Sequence, residues 1–153
     1  MSDDLRDLYQ EVILDHGRHP RNRRHVDGAN HLARGENPLC GDKLMVFLKV
    51  NPAGVIEDAA FEGQGCAIST ASASLMTEVI VGKTEEQVRR LFDSFHALTT
   101  GGEASGCDEM EDEMDRLQVL AGVRDYPVRV KCATLAWHTM AAALEDEQKV
   151  TTE

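Results

Sequence analysis

The chain is short of positive charge: 16 lysines and arginines face 27 aspartates and glutamates, a formal net charge of −11 over 153 residues. Nucleic acid and anionic membrane surfaces attract the opposite balance, so both are disfavoured as partners, while a basic protein surface is admitted. Long apolar runs are missing too, and no segment approaches the roughly 18 residues of a membrane span. The opening Met1-Ser2-Asp3-Asp4-Leu5-Arg6 has neither the basic start nor the apolar stretch of an export signal, so a cytoplasmic protein is expected. No Ser-His-Asp arrangement emerges, and Gly63-Gln64-Gly65 is too short a signal for a nucleotide-binding loop. There are no internal repeats. The apolar share of 42% is enough for the core of one domain spanning 1–153.

Cysteine is scarce, with four in the chain. In a reducing compartment disulfides are rare, which leaves metal binding or thiol chemistry, or plain burial, since unpaired cysteine is among the most buried residue types.

Hydrophobic periodicity places the elements around these cysteines. Leu5, Leu8, Tyr9, Val12 and Ile13 recur at helical spacing and predict a first helix closed by Gly17. His16 to His25 holds four arginines around Pro20, a local basic patch read as a solvated loop or a docking surface. Leu44, Val46, Leu48 and Val50 alternate with Met45, Phe47 and Lys49 as in a strand, and Asn51-Pro52-Ala53-Gly54 reads as the turn into a second strand over 55–61. Cys66 then opens a helix of small residues that ends near Gly82. Thr84 and Gln87 have the capping-box form and start the next helix through Val88, Leu91 and Phe92. After the glycine-rich stretch 101–106, Met110, Met114, Leu117 and Ala121 predict an inserted amphipathic helix, in a segment placed around 100–124, with acidic residues crowding its first turn. A last helix is expected from about Cys132 to Asp146. The order of elements indicates an α+β fold, a small antiparallel β-sheet packed against several α-helices.

Cys40, Asp42, Cys66 and Cys132 lie far apart in sequence at junctions between these elements. Three soft thiolates with one carboxylate suit tetrahedral zinc or an iron–sulfur centre, whereas calcium or magnesium would want more oxygen and no sulfur. Cys66 follows a glycine at a helix start, where unpaired backbone N–H groups favour a thiolate. Pro38 and Gly41 shape a turn that can aim residues 40 and 42 at one point, and Cys132 is placed at the start of the last helix. Lys43, Arg129 and Lys131 are candidates to offset the negative charge of such a site. The six histidines each read as satisfied surface or core side chains rather than ligands.

The segments Asn37-Pro38-Leu39-Cys40-Gly41-Asp42, Phe61-Glu62-Gly63-Gln64-Gly65-Cys66-Ala67-Ile68-Ser69 and Arg129-Val130-Lys131-Cys132-Ala133-Thr134-Leu135 resemble the three ligand motifs of the NifU/IscU/SufU-type proteins of iron–sulfur cluster assembly. The resemblance extends to Leu8-Tyr9, Asp15-His16 and Pro20-Arg21-Asn22. It is strongest toward the SufU branch, because Lys131 stands where the IscU-like scaffolds carry a histidine, those scaffolds lack an insert like that around 100–124, and no Leu-Pro-Pro-Val-Lys sequence is present. The resemblance implies a SufU/IscU-like fold and a zinc-dependent sulfurtransferase that takes persulfide sulfur from a SufS-type cysteine desulfurase and relays it to downstream iron–sulfur assembly proteins. It further implies Cys40, Asp42, Cys66 and Cys132 as zinc ligands and Cys40 as sulfur acceptor, released when a histidine of the desulfurase takes its place on the metal. Asp42 and Arg129 are expected to assist transfer. The alternative it leaves open is a scaffold on which a [2Fe–2S] cluster is built. Cys107 matches none of the motifs and is read as a bystander thiol or a secondary sulfur acceptor.

Overall fold

The computed structural model describes residues 3–102, 110–146 and 149–151. Helix α1 (Asp3–Arg18) leads to three antiparallel strands, β1 (His31–Asn37), β2 (Asp42–Val50) and β3 (Ile56–Gln64). Then follow α2 (Ala67–Ile80), α3 (Glu85–Thr100), the short α4 (Glu111–Leu117), a 3₁₀ helix (Gln118–Asp125), α5 (Pro127–Leu144) and a short strand β4 (Lys149–Thr151). The sheet order is β3-β2-β1-β4, and β4 joins β1 in parallel. The α+β architecture with an antiparallel sheet is therefore as expected, with one parallel strand added at its edge.

On β2 the residues Leu44, Val46 and Leu48 point inward and are buried, matched on β3 by Phe61 and Ala59 across the ladder. This is the period-2 pattern of a sheet with one face against a core. Helices α5 and α2 cover that face. Helix α5 is apolar on nearly every side because it is enclosed, with Leu135, Ala136, Trp137 and Met140 all buried. Trp137 stacks on Phe95 of α3 with ring centroids 4.6 Å apart. The small side chains of α2 let its neighbours approach closely, and buried Ser72 Oγ donates to the Ala133 carbonyl at 2.5 Å, joining α2 to α5 one residue from Cys132.

Local chemistry explains most boundaries. Thr84 and Gln87 form the expected capping box at α3, which ends on Gly101 in the left-handed region. Cys66 is the N-cap of α2, its sulfur accepting the Ser69 N–H at 3.4 Å. Helix α1 runs one residue past Gly17, and Leu8, expected on its inner stripe, is 53% exposed.

Two further expectations are corrected. The last helix starts at Pro127, not near Cys132, because proline fits the first helical position, where no N–H is needed. Cys132 therefore sits in the second turn and is 2% exposed. The expected amphipathic helix through Ala121 stays α-helical only from Glu111 to Leu117 and then tightens into the 3₁₀ segment, which still buries Leu120 and Ala121. The stretch from His16 to His25 leaves Arg18, His19, Arg23, Arg24 and His25 exposed beyond the buried His16, as a solvated loop would. It lies along the outer edge of β3, with Phe61 N–H donating to Asn22 O and Arg24 N–H to Phe61 O, both at 3.0 Å. Arg21 pairs with Asp15 and Arg24 with Asp58, both at distances below 3 Å, and these arginines hold the two carboxyls below their usual range. His16 is 7% exposed and hydrogen-bonded through Nδ1 to Ser74 Oγ at 2.7 Å, and burial holds its pKa below the ordinary value.

Among the described residues no helix is long and apolar enough to cross a membrane.

Candidate metal centre

The β1–β2 hairpin supplies the first two site residues. Asn37 and Asp42 are its last paired positions, and Pro38-Leu39-Cys40-Gly41 forms the loop between them. Gly41 sits at φ 71°, a left-handed conformation that a side chain disfavours, and lets the loop close with the single bond Cys40 N–H to Asn37 O at 3.2 Å. Leu39 at the tip is 64% exposed, whereas Asn37 and Asp42 are buried to 0% and 1%.

Helix α5 brings Cys132 to the same point. Its sulfur lies 3.0 Å from Cys40 Sγ, and the ligating atoms of Cys40, Asp42 and Cys132 all fall within 4.8 Å of one another. Cys66 stands outside that triple but adjoins it: its N–H donates to Asp42 Oδ1 at 2.8 Å, and its side chain interacts with Cys132. Gly65 makes the approach feasible, since a Cβ there would lie 2.7 Å from Asp42 Oδ1 and 3.1 Å from Ser69 Oγ. All three cysteines are unbridged.

The electrostatics of this cluster are compatible with a cation. Burial, then the bond to Cys40, then the charge of Cys66 hold the Cys132 thiol far above the ordinary thiol range. A bound metal reverses that order, because coordination deprotonates a thiol outright. Asp42 Oδ2 is buried and has no hydrogen-bond partner, a costly state for a carboxylate oxygen unless something positive completes it. Asn37 Oδ1 and Ser69 Oγ are also buried without partners, so three of the four such atoms among the described residues belong to Asp42 or to residues that donate to Cys132 and Cys66. Sulfur donors with a single carboxylate oxygen fit zinc or an iron–sulfur centre.

Arg129 does not join this cluster. Its guanidinium lies over the Tyr126 ring, 4.5 Å from the centroid, on the wall of a groove of about 690 Å³ between α1, α2, the 3₁₀ segment and the start of α5. Lys43 is exposed on β2. None of the histidines enters the triple. His25 meets Glu62, His31 meets the Ala143 carbonyl, and His138 packs on Phe92. Cys107 falls outside the described residues. The residues that sequence reasoning passed over are Asn37, Gly65 and Ser69. They lie inside the cysteine motifs, and what marks them, a buried unpartnered atom or a close approach to the carboxylate, exists only once the chain has folded.

The family model for the NifU-like N-terminal domain matches residues 8–133. The iron–sulfur cluster assembly scaffold protein IscU of Streptococcus pyogenes serotype M1 is 38% identical over 141 residues, which are 92% of this chain and 85% of that protein. The zinc-dependent sulfurtransferase SufU of Bacillus subtilis (strain 168) is 36% identical over 141 residues, 92% of each chain. A crystal structure described as an iron–sulfur cluster assembly scaffold protein for the SUF system, from Fervidobacterium islandicum AW-1, superposes with a TM-score of 0.80 at 30% identity, covering 94% of this chain and 99% of that one.

Proposed function

The chain belongs to the NifU-like N-terminal domain family, and from that premise we propose that it serves iron–sulfur cluster assembly as a zinc-dependent sulfurtransferase, accepting persulfide sulfur from a cysteine desulfurase. The observation that carries this reading is the unpartnered, buried Asp42 Oδ2 beside two thiols 3.0 Å apart. Cys40, Asp42, Cys66 and Cys132 would hold the zinc. When bound, the metal keeps thiols ionised yet blunted and brings no redox chemistry of its own.

The protein's own residues divide the remaining work. Cys40, on a turn rather than a helix, is the thiolate able to leave the site without disturbing an element. Once released it attacks the outer sulfur of the partner's cysteine persulfide. The partner's S–S bond breaks, its cysteine departs as a thiolate, and the sulfur remains on Cys40 as a new persulfide, with no net oxidation. Asp42 is the carboxylate ligand whose loss changes both charge and exchange at the site. Arg129, exposed on the groove wall, is positioned to meet an incoming partner. The relatives named as scaffolds support a second reading, a [2Fe–2S] cluster held by the same four residues. The downstream acceptors would be other cluster-assembly proteins.

Two measurements decide. Protein purified without added iron should contain one zinc per chain; stoichiometric iron with a visible thiolate-to-iron band and little zinc establishes the scaffold reading instead. After incubation with desulfurase and cysteine, non-reducing mass spectrometry should find persulfide on Cys40. If Cys40→Ala accepts sulfur at the wild-type rate on another cysteine, the assigned mechanism is wrong. Arg129→Ala should retain zinc and lose productive transfer.

A further inference from the structure

The three cysteines of the site differ in who donates to their sulfur. Cys66 Sγ accepts the Ser69 backbone N–H at 3.4 Å, and Cys132 Sγ lies 3.8 Å from the Asn37 side-chain Nδ2, which donates to it. Among the described residues no N–H donates to Cys40 Sγ, which accepts instead from the Cys132 thiol. Asn37 also accepts the Cys40 N–H on its own carbonyl at 3.2 Å, so it touches the loop cysteine through the main chain and the helix cysteine through the side chain.

A fold has little other use for this asparagine. It is 0% exposed, on the inward face of β1, and its Oδ1 has no partner. A half-satisfied buried amide costs stability that an apolar residue of similar size would not. What the apolar residue cannot supply is an N–H aimed at sulfur. Such a bond spreads the charge of a thiolate onto the donor and leaves the sulfur less reactive and less prone to exchange.

We propose that Asn37 is a positioning residue that decides which sulfur is released: by donating to Cys132 it makes that cysteine, with Cys66, a fixed holder, and leaves Cys40 as the exchangeable ligand. The inference rests on the metal-holding reading above, and its test needs no desulfurase.

Full-length protein loaded with zinc is treated with iodoacetamide and the rate at each cysteine is read by peptide mass spectrometry; a cobalt-loaded sample gives the sulfur-to-metal charge-transfer band. In wild type Cys40 should react first and Cys132 last. Asn37→Leu keeps the volume and removes the donor, so the rate at Cys132 relative to Cys40 should rise about tenfold, the scale of outer-shell effects on metal sites. The cobalt band should move to longer wavelength, which a packing change alone would not cause. Asn37→Asp, which has the same shape with oxygen in place of nitrogen, should act in the same direction. A wild-type order of reactivity with a wild-type band in either folded variant overturns the proposal. So does failure of both variants to fold, since Asn37 would then be a structural residue. Equal reactivity of all three cysteines in wild type, with or without metal, would instead overturn the metal-holding reading itself.

Discussion

The two hairpins of the sheet are built to opposite ends. The β2–β3 turn is closed by several bonds: Asn51 Oδ1 accepts the N–H groups of Ala53 and Val55, Asn51 N–H donates to Val55 O, and Gly54 N–H returns to Asn51 O, all at 3.0 Å or less. Gly54 O also accepts the Glu85 N–H that opens α3, at 3.3 Å. The β1–β2 turn closes on one backbone bond, exposes an apolar tip at Leu39, and is flanked by two buried polar residues each with an oxygen lacking a partner. An asparagine begins each turn. In one it satisfies the backbone, and in the other it faces a sulfur. The contrast teaches that incomplete satisfaction of buried polar atoms, which a purely structural turn avoids, marks the turn that has other business.

Four perturbations would break or sharpen this contrast. Removing the metal should act most strongly: with free zinc held at about a thousandfold its dissociation constant, linkage stabilises the loaded protein by about 4 kcal/mol over the chelated one. Calorimetry showing coincident melting curves would mean that the β1–β2 tip is no more than a loop. Next, Asp42→Ala should weaken zinc by more than about a hundredfold in a chelator competition, above the usual outer-shell effect, while the metal-free variant melts close to wild type. Collapse of that metal-free variant would make the tip as structural as its counterpart. Asn51→Ala should cost about 1–2 kcal/mol in urea unfolding, because two backbone N–H groups lose their acceptor, and should leave zinc affinity unchanged.

The smallest effect is expected at His16, away from both turns. Burial holds its folded pKa below the ordinary 6.5, so the unfolded chain binds the proton more readily. The associated stability is present above about pH 6.5 and is lost as pH falls toward the folded value. In metal-free protein, His16→Gln should flatten that acid-side decline, and an unchanged slope would show that His16 does not govern it.

The parts of the fold that were legible in sequence are those where local chemistry and tertiary context agree. The alternation of β2, the Asn51 turn, the Thr84 capping box and the cysteine N-cap of α2 each carry a physical signal within a few residues. Strand β1 does not, because its inward positions are Ala33, Gly35 and Asn37, too small or too polar to make a hydrophobic alternation. The start of α5 is expected near Cys132 from the sequence, although Pro127 is the start signal. At the site, the motifs placed the cysteines and Asp42 near one another, but neither the inward aim of Asn37 nor the closeness of Gly65 to the carboxylate can be read from spacing. Both depend on which face a strand end presents after the sheet has formed.

The distance along the chain between the two paired thiols has a consequence during synthesis. Cys40 and Cys132 are 92 residues apart, so a ribosome adding roughly 5–20 residues each second exposes the hairpin cysteine for several seconds before its partner has been made. Helix α5 both closes the core and delivers the last sulfur. A nascent chain can therefore pair its first two hairpins early, yet on the metal-holding reading the full donor set would exist only once α5 has been translated and packed, and metal loading would be one of the final events of maturation.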